Sequence, residues 1–526
     1  MYLKKTKTHC ISIHGSLPGD RRNVLALLSR IEDFPAYVPN IRESRIIKQN
    51  ASEVLSEWLV ETDGLPIRWR QKTTFDARNF SINFEAVAGD LEKFEGMWEL
   101  KKGEGNSTEV NIIVRLRLGI PVPEQMVSDE LEFRIKKIFK TILEALEEKL
   151  VEARYARKDG KLNPGLNSFV VMGHPYNFHH LMKFFQVYKP DVYSMTPEFL
   201  MKIFELAPAY RVATIDEFRS KTGKKVKGYF VMCPLIPDMA MLTPEVVLPK
   251  VIDGCRVGER LGAGILALGG FTSVVGERYF QQLRNKVRIP ITTGNAFTVA
   301  MVLAGVRKAC DLMGKNLKKS KVVIIGGTGD IGSACARSLA FEAKDIVLTG
   351  RTRTTLEMAQ GLLASLKGAK IHITTENNDA VREADIIVAA ASAAQPVVDT
   401  NMIKPGTIVC DVGYPKNISH TSKHRSDIFV FSGGLSTVPT PFDMGFDLGL
   451  PNPNIIYGCF AESIILCMEE RYENFSEGKG KLTPEKVEWI AQAGKKHGFE
   501  LAPFYWGNEL IDEERISTLL SKAVVY

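Results

Sequence analysis

No run of apolar residues in this sequence approaches the roughly 20 that a transmembrane helix requires, and the longest small apolar run, Ile386–Ala394, is far shorter. The basic N-terminus is not followed by an apolar segment, so a signal peptide is not predicted. The eight cysteines are scattered and contain no CxxC pair, which argues against a disulfide framework and against a zinc site. These absences predict a reduced, cytoplasmic protein without a transmembrane segment.

A strong charge excess of either sign is also absent. In 526 residues, 68 Lys and Arg stand against 61 Asp and Glu, which leaves a net charge of +7. This balance is far from that of a polybasic protein and predicts no nucleic-acid partner, while it weakly favours an acidic partner or a phosphorylated ligand. With 45% hydrophobic residues the chain is globular rather than disordered, and its length suggests about three or four domains.

Residues 1–157 have the pattern of an antiparallel sheet followed by one long helix. Apolar and polar residues alternate from Val110 to Leu118, as in a strand with one buried face. A helix is predicted from about Glu124 to Ala156, where apolar residues recur at helical spacing. The predicted strands are Cys10–His14, Val54–Thr62, Ile67–Phe75, Phe80–Val87, Gly96–Leu100 and Glu109–Leu118, and a first helix is predicted near Arg21–Ile31.

A curved antiparallel sheet and a long helix must bury their apolar faces against each other, and an incomplete fit leaves an apolar cavity. This order of elements, with the segment from Ile31 to Asn40, resembles the START-like superfamily, and in particular its polyketide cyclase and coenzyme-Q-binding group. The resemblance implies an α+β helix-grip domain with a cavity for a lipid or aromatic ligand. A packed domain used only for docking is the alternative. Residues 158–164 are predicted to form a linker.

A glycine-rich segment at 321–333 joins a short apolar strand to a helix. Gly327, Gly329 and Gly332 satisfy the G-x-G-x-x-G pattern, in which glycines let a pyrophosphate approach the backbone at the start of a helix. Further apolar strands alternate with helical or turn segments, so residues 320–445 are predicted to form a doubly wound Rossmann domain within an α/β fold. The predicted cofactor contacts here and at later strand ends are Gly326, Gly327, Thr328, Gly329, Asp330, Ile331, Gly332, Ser392, Val412 and Gly413.

The end of the second Rossmann strand predicts NADPH rather than NADH. An NAD-binding domain usually has an acidic residue there for the ribose 2′-hydroxyl, but this sequence continues from Gly350 without an acid. We therefore expect Arg351, Thr352 and Arg353 to hold the 2′-phosphate. The alternative is that both arginines are solvated surface charges.

The Tyr-x-x-x-Lys pair of a short-chain dehydrogenase is missing between Ala393 and Thr437, so another catalytic group is needed. Cys459 follows a glycine and precedes an apolar helical pattern, which predicts a position near a helix N-terminus. Such a position lowers the pKa of a thiol and makes the nucleophilic thiolate more available. A buried, inert thiol is the alternative, and sequence physics alone does not separate Cys459 from the remaining cysteines.

Residues from about 165 to 507 resemble the cyanobacterial-type long-chain acyl-(acyl-carrier-protein) reductases. The matching segments occur in order and are FVVMGH (169–174), LGGFTSVV (268–275), TTGN (292–295), GGTGDIGSA (326–334), ADIIV (384–388), DVGYPKN (411–417), CFAES (459–463), NFSEGKG (474–480) and KHGF (496–499). The resemblance implies that Cys459 accepts the acyl group and that NADPH reduces a fatty acyl thioester to the aldehyde. We expect a substrate and catalytic domain at 165–319 and a C-terminal helical segment at 446–526 that carries Cys459.

Several other residues are candidates within this reaction. Thr293 and Asn295 are candidate oxyanion donors, since acyl transfer needs hydrogen-bond donors for the developing negative charge. Glu462, His174 and His497 are candidate proton handlers. A purely structural hydrogen-bonding role is the alternative for each of these last three.

The implied substrate carrier is an acyl carrier protein or coenzyme A. Basic runs at 224–227, 284–288 and 315–321 are candidates for docking an acidic carrier protein, and solvated faces are the alternative for each run. Peripheral contact with a membrane stays open.

Two other functions also stay open. The cyclase-like domain suggests a reductase of an aromatic or polyketide acyl thioester. The second is a lipid-binding or lipid-transfer protein whose reductase-like half only senses nucleotide. The intact glycine loop and the CFAES segment argue against that second function.

Overall fold

The computed structural model describes residues 8–50, 53–117, 124–158, 161–162, 166–188, 196–236, 244–366, 368–393, 395–419, 425–478, 480–512 and 516. Leu118, most of the predicted linker 158–164 and residues 517–526 lie outside these ranges. The chain divides into two compact units. The first comprises residues 1–164 with 259–262, and the second comprises 165–258 and 263–526.

The first unit contains a seven-stranded antiparallel sheet whose strands lie in the order β1-β7-β6-β5-β4-β3-β2. The strands are β1 (His9–Pro18), β2 (Ile41–Gln49), β3 (Glu53–Thr62), β4 (Leu65–Asp76), β5 (Ser81–Gly89), β6 (Lys93–Lys102) and β7 (Ser107–Arg117), and the helices are α1 (Arg21–Leu28) and α2 (Glu124–Tyr155). A 3-10 helix spans Ile31–Ala36, and two short paired strands follow α2, namely β8 (Arg157–Lys158) and β9 (Lys161–Leu162).

The core of the first unit lies between this sheet and α2. Ile135, Ile142 and Leu146 recur along one side of α2 and are buried, and Val110 and Ile112 are buried on alternate positions of β7. The predicted α+β helix-grip fold is therefore confirmed. The sequence predicts this fold because apolar residues recur at helical spacing in α2 and at every second position in β7. Burial of one face of a helix or strand requires these spacings.

One strand of this sheet is absent from the sequence-based prediction. β2 is mostly exposed, and its register with β3 shifts between Ile41 and Glu43 and again between Ile46 and Lys48. Each irregularity interrupts the alternation of buried and exposed residues on which recognition of a strand depends. The predicted first helix also ends earlier, at Leu28, where the chain turns into the 3-10 helix.

The second unit begins with a five-stranded sheet in the order β11-β12-β10-β13-β14. Its strands are β10 (Ser168–Gly173), β11 (Tyr210–Arg219), β12 (Lys225–Met232), β13 (Ile265–Leu268) and β14 (Ile291–Thr292), with helices α3 (Phe178–Tyr188), α4 (Pro197–Leu206), α5 (Pro244–Leu261), α6 (Phe271–Arg284) and α7 (Asn295–Leu312). All pairings are parallel except that of the edge strand β11. The carboxyl ends of β10, β13 and β14 therefore lie at one edge of the sheet.

A second parallel sheet of six strands follows, in the order β17-β16-β15-β18-β19-β20. Its elements are β15 (Lys321–Ile325), α8 (Asp330–Leu339), β16 (Asp345–Thr349), α9 (Arg353–Ala364), β17 (Lys370–Thr374), α10 (Asn377–Val381), β18 (Ile386–Ala389), β19 (Ile408–Asp411) and β20 (Phe429–Ser432), with 3-10 turns at Leu317–Lys319 and Thr400–Met402. If the six strands are numbered along the chain, their order in the sheet is 3-2-1-4-5-6, which is the arrangement of dinucleotide-binding folds. The strand order reverses between β15 and β18. The predicted Rossmann domain is confirmed.

The remaining elements are β21 (Leu435–Thr437), β22 (Ile455–Tyr457), α11 (Gly458–Met468), α12 (Pro484–His497), β23 (Tyr505–Trp506) and β24 (Glu509–Leu510). The C-terminal part of the chain thus contains short strands in addition to the expected helices. α11 contacts β10, β12, β13 and α7, and α12 contacts α7. Within the described residues, no helix is both long enough and apolar enough to cross a membrane.

Candidate active site

A cavity in the second unit lies where the carboxyl ends of its two parallel sheets meet. His174 and Gly270 follow strands of the first sheet, Ser392 and Gly413 follow strands of the Rossmann sheet, and all four line the cavity with Cys459. Ligands of open α/β sheets bind outside the carboxyl ends of their strands. The position of the cavity is therefore that of an active site.

Cys459 is the second residue of α11, as its sequence context predicts. Cys459 as a residue is partly exposed, and it lines the cavity. Cys10 is exposed in the first unit, and the other six cysteines are buried. The structure therefore separates Cys459 from the remaining cysteines, which the sequence pattern alone does not do.

Three helix N-termini converge on Cys459. α6 begins after Gly270, α7 begins after Gly294, and Cys459 itself stands in the first turn of α11. Gly294 has a φ of +71°, and a Cβ atom there would lie 2.2 Å from the Cα of Cys459. The glycine is therefore required for the close approach of α7 to α11. Helix N-termini carry free N–H groups and positive partial charge, which favour anions such as a thiolate.

Burial nevertheless raises the pKa of the Cys459 thiol to about 11. The backbone N–H groups of Gly270 and Phe460 oppose this shift, because they donate hydrogen bonds that stabilise the thiolate. The sequence-based expectation of a lowered pKa is thus wrong for the cavity without a ligand. Loss of water around the sulfur outweighs the helix N-terminus.

The glycine-rich loop joins β15 to α8 as predicted, and α8 begins directly after Gly329. A Cβ atom at Gly332 would lie 2.4 Å from the carbonyl oxygen of Gly326, so the first turn of α8 packs directly against the loop. Only glycine leaves this cradle open to a pyrophosphate at the helix N-terminus. The loop residues therefore fit a dinucleotide, and Ile331 of the same turn lines the cavity with Val412.

The side chain of Asp330 holds the loop in place rather than facing a ligand. It is buried, its Oδ1 accepts the N–H of Gly480 at 3.0 Å, and its Oδ2 accepts Nδ2 of Asn295 at 3.2 Å. The side chain of Asp330 is thus held by protein donors, while its backbone N–H is the first of α8, and Asp330 stays a predicted cofactor contact through that group.

Arg351, Thr352 and Arg353 are exposed immediately after β16. Nε of Arg353 lies 3.1 Å from Oε1 of Glu357, one turn along α9. No ion pair involves Arg351 within the described part of the chain. A Cβ atom placed on Gly350, the residue before Arg351, would lie 3.4 Å from the side chain of Thr328 in the glycine loop. The free cation therefore follows a strand end beside the loop.

The two candidate oxyanion donors have other partners. Thr293 is buried away from the cavity lining, and its N–H and hydroxyl donate to the carbonyl oxygen of Ser476 at 3.0 and 3.2 Å. Asn295 does line the cavity, but Nδ2 donates to Oε1 of Glu277 at 2.6 Å and to Asp330. Neither side chain keeps a free N–H or O–H for an oxyanion, so this assignment is corrected.

The family models match two parts of the chain. The model described as polyketide cyclase / dehydrase and lipid transport matches residues 17–147. The model described as shikimate / quinate 5-dehydrogenase matches residues 308–432. The first match agrees with the helix-grip fold. The second agrees with the six-stranded sheet and identifies it as a dehydrogenase-type Rossmann domain, which implies a nicotinamide cofactor.

Several known proteins are similar to part of this chain. The long-chain acyl-(acyl-carrier-protein) reductase of Synechococcus elongatus is 33% identical over 305 residues, which cover 54% of this chain and 86% of that protein. The chain belongs to the long-chain acyl-(acyl-carrier-protein) reductase family. Aminotransferase PigE of a Serratia species is 29% identical over 57% of this chain and 35% of its own. A glutamyl-tRNA reductase of Listeria monocytogenes is 30% identical over 26% of this chain and 32% of its own.

Membership of this reductase family makes the chain an oxidoreductase, and the resemblance expected from the sequence motifs is confirmed. The histidine of the FVVMGH motif, His174, lines the cavity of this family member. Its Nε2 accepts the N–H of Phe271 at 2.7 Å, and its Nδ1 lies 2.9 Å from the carbonyl oxygen of Pro175. Burial lowers the pKa of His174 to about 4. The ring is therefore neutral and has no free lone pair, which corrects the prediction of a proton handler.

The glutamate of the CFAES motif is buried and has a structural role in this reductase. Glu462 accepts hydrogen bonds from the Thr292 hydroxyl, from Oγ of Ser476 at 2.7 Å and from the N–H of Phe297 at 2.8 Å. Burial raises its pKa. It is not part of the cavity lining, so the predicted proton-handling role is corrected. Its oxygens instead join α11 to the first turn of α7.

His497, the third candidate proton handler, is not among the described residues that line the cavity with Cys459. It is the last residue of α12, and Nε2 pairs with Oε1 of Glu469 at 2.5 Å while Nδ1 lies 3.3 Å from Oγ1 of Thr222. Burial lowers the pKa of His497 in spite of Glu469. This histidine is structural.

A cluster of tyrosines, missed by the sequence analysis, forms the wall of the reductase cavity beside Cys459. Tyr176, Tyr414 and Tyr457 all line it, and the ring of Tyr414 lies 4.8 Å from that of Tyr457 and 5.8 Å from that of Tyr176. The Tyr176 hydroxyl donates to the carbonyl oxygen of Leu448 at 3.1 Å. These residues are scattered in sequence, and no local spacing links them.

The cavity also has an apolar group of lining residues. Phe184, Phe230, Met232, Phe446 and Phe460 line it next to Cys459. Aromatic and thioether side chains of this kind bury a hydrocarbon group well and exclude water from the sulfur. The site therefore combines a thiol, an apolar subsite and a dinucleotide loop.

The three donors on Glu462 generate a prediction about stability. Replacement of Glu462 with Ala should lower the free energy of unfolding by about 3–5 kcal/mol, because three buried donors lose their acceptor. Calorimetric unfolding measures this change. Glu488→Ala, on the exposed face of α12, should stay within about 0.5 kcal/mol of the unmodified protein. Equal effects of the two variants would contradict the structural role of Glu462.

Proposed function

We propose that this protein reduces a long-chain fatty acyl thioester to the aldehyde with NADPH, through an acyl thioester formed on Cys459. The observation that carries the proposal is the position of Cys459, which lines one cavity together with apolar side chains and with residues that follow the strands of the Rossmann sheet. The name of the Synechococcus relative supports a long-chain acyl-(acyl-carrier-protein) substrate.

In the first step, the thiolate of Cys459 attacks the thioester carbonyl. A carbon–sulfur bond forms to the enzyme, the bond to the carrier sulfur breaks, and the carrier thiolate leaves and takes up a proton. Exchange of one thioester for another is nearly isoenergetic, so the protein needs to orient the groups and stabilise the oxyanion. The apolar residues around Phe230 and Phe460 would hold the acyl chain.

In the second step, the acyl group on Cys459 becomes the aldehyde. The chemistry that NADPH supplies when bound is hydride donation to the acyl carbonyl. The thiolate of Cys459 then leaves, is stabilised by the N–H groups of Gly270 and Phe460, and takes up a proton to return to the resting thiol. The aromatic wall at Tyr414 and Tyr457 keeps water from the acyl-enzyme, which would otherwise be hydrolysed.

The cofactor proposal assigns separate parts of the dinucleotide to separate strand ends. Gly326, Gly327, Thr328, Gly329 and Gly332 would hold the pyrophosphate, and Ile331, Ser392, Val412 and Gly413 would lie beside the nicotinamide. Arg351 would bind the 2′-phosphate, since its exposed guanidinium has no competing acid. Thr352 stands next to it, and Arg353 contributes less because Glu357 neutralises it.

The proposal for the carrier favours two of the three basic runs. In the run at 224–227, Lys224 pairs with Glu470, Lys225 with Glu217 and Lys227 with Asp216. These pairs reduce its attraction for an acidic carrier protein. The runs at 284–288 and 315–321 contain the exposed cations Arg284, Lys286, Lys318 and Lys319, and we propose that a carrier protein docks there. Coenzyme A thioesters remain the alternative substrate.

Cys459 provides the decisive test of this reaction. Incubation with a long-chain acyl-carrier-protein thioester, without NADPH, should leave an acyl adduct that peptide mass spectrometry finds on Cys459. Cys459→Ala should form no adduct and no aldehyde, whereas Cys10→Ala should behave like the unmodified protein because Cys10 is exposed in the other unit. Normal aldehyde production by Cys459→Ala would rule out the covalent route. Reduction of an aromatic acyl thioester alone would favour the alternative substrate class.

Arg351 tests the cofactor assignment. Arg351→Ala should raise the KM for NADPH about 10- to 100-fold and leave the KM for NADH nearly unchanged, because a charge-assisted hydrogen bond to the 2′-phosphate is lost. Arg353→Ala should have a smaller effect. Arg382→Ala, at an exposed ion pair with Asp379, is the control. Equal changes for both cofactors would contradict recognition of the 2′-phosphate.

A second function is proposed for the first unit, which we infer binds a neutral, mostly apolar ligand. Its sheet and α2 enclose a cavity whose described lining is apolar apart from Gln71 and Thr73. Nε1 of Trp69 donates to Oε1 of Gln71, and Nε2 of Gln71 donates to Oγ1 of Thr73, both at 2.9 Å. The Thr73 hydroxyl proton is thereby left to donate to a carbonyl or hydroxyl oxygen of a ligand. No charged side chain among the described lining residues would balance a carboxylate.

Tryptophan fluorescence tests this second function, since Trp58, Trp69 and Trp98 line the cavity. A long-chain methyl ketone should quench the emission at lower concentration than the corresponding fatty acid anion. Thr73→Val should weaken ketone binding about fivefold, as expected for one hydrogen bond. Thr74→Val, on the exposed side of the same strand, should leave it unchanged. Equal binding of ketone and anion would show that Gln71 and Thr73 do not select the ligand.

A further inference from the structure

The buried ring of His174 lies between the end of β10 and the start of α6. A backbone N–H can only donate, so Nε2, which lies 2.7 Å from the nitrogen of Phe271, is the unprotonated ring nitrogen. A carbonyl oxygen can only accept, so Nδ1, at 2.9 Å from the oxygen of Pro175, carries the proton. The two hydrogen bonds therefore select a single neutral tautomer of His174.

The first N–H groups of α6 have separate partners. The N–H of Phe271 is accepted by His174, and those of Thr272 and Ser273 reach the carbonyl oxygens of Gly269 and Gly270 at 3.3 and 3.1 Å. Gly270 and Cys459 line the same cavity, and backbone hydrogen bonding from Gly270 opposes the rise in the pKa of the Cys459 thiol. One donor at this helix N-terminus is thus directed into the active site, while the neighbouring donors are held elsewhere.

Gly270 reaches this position through a backbone conformation that favours glycine. Its φ is +57° and its ψ is −131°. A Cβ atom at this residue would lie 2.6 Å from Nε2 of His174. The ring therefore packs against the same peptide that donates to Cys459, and it anchors the next peptide through Phe271.

We infer that His174 is a positioning residue, which holds the N–H of Gly270 as a donor to the Cys459 thiolate and to the oxyanion of the acyl intermediate. This inference rests on the proposed function at Cys459. The N–H groups of Gly270 and Phe460 would together form a pair of backbone donors to the sulfur of Cys459. Two such donors, held before the reaction, stabilise the charge that develops on the carbonyl oxygen during attack.

The proton equilibrium of His174 takes no part in this role. Burial lowers its pKa to about 4, so the ring stays neutral at any pH above that value. Among the other titratable groups near Cys459, burial raises the pKa values of Tyr176 and Tyr457 well above 10 and also raises that of Glu462. His180, Glu277 and Tyr414 line the same cavity. The pH dependence of Cys459 reactivity therefore reports on the thiol and on the donors that face it.

The test compares His174→Gln with His174→Asn in the full-length protein. The longer amide of Gln places an acceptor near the position of Nε2 and keeps the bond from Phe271, whereas the shorter Asn does not reach it. Single-turnover acylation with a long-chain acyl-carrier-protein thioester should fall about 100-fold in His174→Asn, as for loss of one oxyanion donor. His174→Gln should stay within about tenfold of the unmodified protein. His179→Gln, at an exposed neighbour, is the control.

Alkylation of Cys459 by iodoacetamide gives a second readout that needs no acyl substrate. With a thiol pKa of about 11, the rate should rise about tenfold for each pH unit between pH 7 and 9.5, because only the thiolate reacts. His174→Asn should react more slowly than His174→Gln at every pH, since a lost donor raises the thiol pKa. A thermal unfolding scan identifies a variant that has lost its fold, and the comparison then rests on His174→Gln and the unmodified protein.

Equal acylation and alkylation by the Gln and Asn variants would overturn the positioning role. The positioning role would also be overturned if the reaction rate of the unmodified protein changed with pH near 6.5 and both variants lost this pH dependence. His174 would then be a proton-transfer group. The failure of the proposed function has a different signature. If Cys459→Ala still produces aldehyde, the covalent route is wrong, while the alkylation rates still show whether His174 orients the donor to Cys459.

Discussion

The active site depends on one close backbone approach, that of Gly294 to Cys459. No side chain fits at position 294, because its Cβ would lie 2.2 Å from the Cα of Cys459. This approach lets the start of α7 meet the first turn of α11 beside the start of α6. Cys459 consequently lies near the carboxyl ends of the parallel strands of both sheets, in a cavity that it lines with apolar side chains and with Ile331 from the first turn of α8.

Buried carboxylates maintain this arrangement rather than transferring protons. Glu462 accepts three hydrogen bonds that tie α11 to the start of α7 and to Ser476. Asp330 ties the glycine loop to Asn295 and to Gly480. A buried carboxylate is stable only when donors surround it, so both groups are costly to remove. The Cys459 thiol differs from these carboxylates, because burial removes water from it and few donors replace that water. Its pKa is therefore raised.

The sequence was most informative where structure and chemistry are local. The glycine loop, the strand before it and the helix after it are contiguous, so their pattern predicted the nucleotide fold correctly. The motif around Cys459 likewise predicted a helix N-terminus. Prediction failed for β2, whose irregular register hides its alternation, and for Thr293, whose hydroxyl is turned to Ser476. It also failed for the tyrosine cluster, because Tyr176, Tyr414 and Tyr457 are brought together only by folding.

By itself, the sequence predicted the two folds, and its motifs carried the resemblance to the reductase family that singled out Cys459 as the candidate nucleophile. These follow from periodicity and from short motifs, which act within a few turns of chain. Tertiary structure alone decided what the polar residues do. His174 accepts the N–H of Phe271. Asp330 and Glu462 are buried acceptors that join separate segments of the chain, whereas Arg351 is exposed. The physical reason is that the role of a polar group depends on which partners and how much water surround it, and both are set by contacts between distant segments.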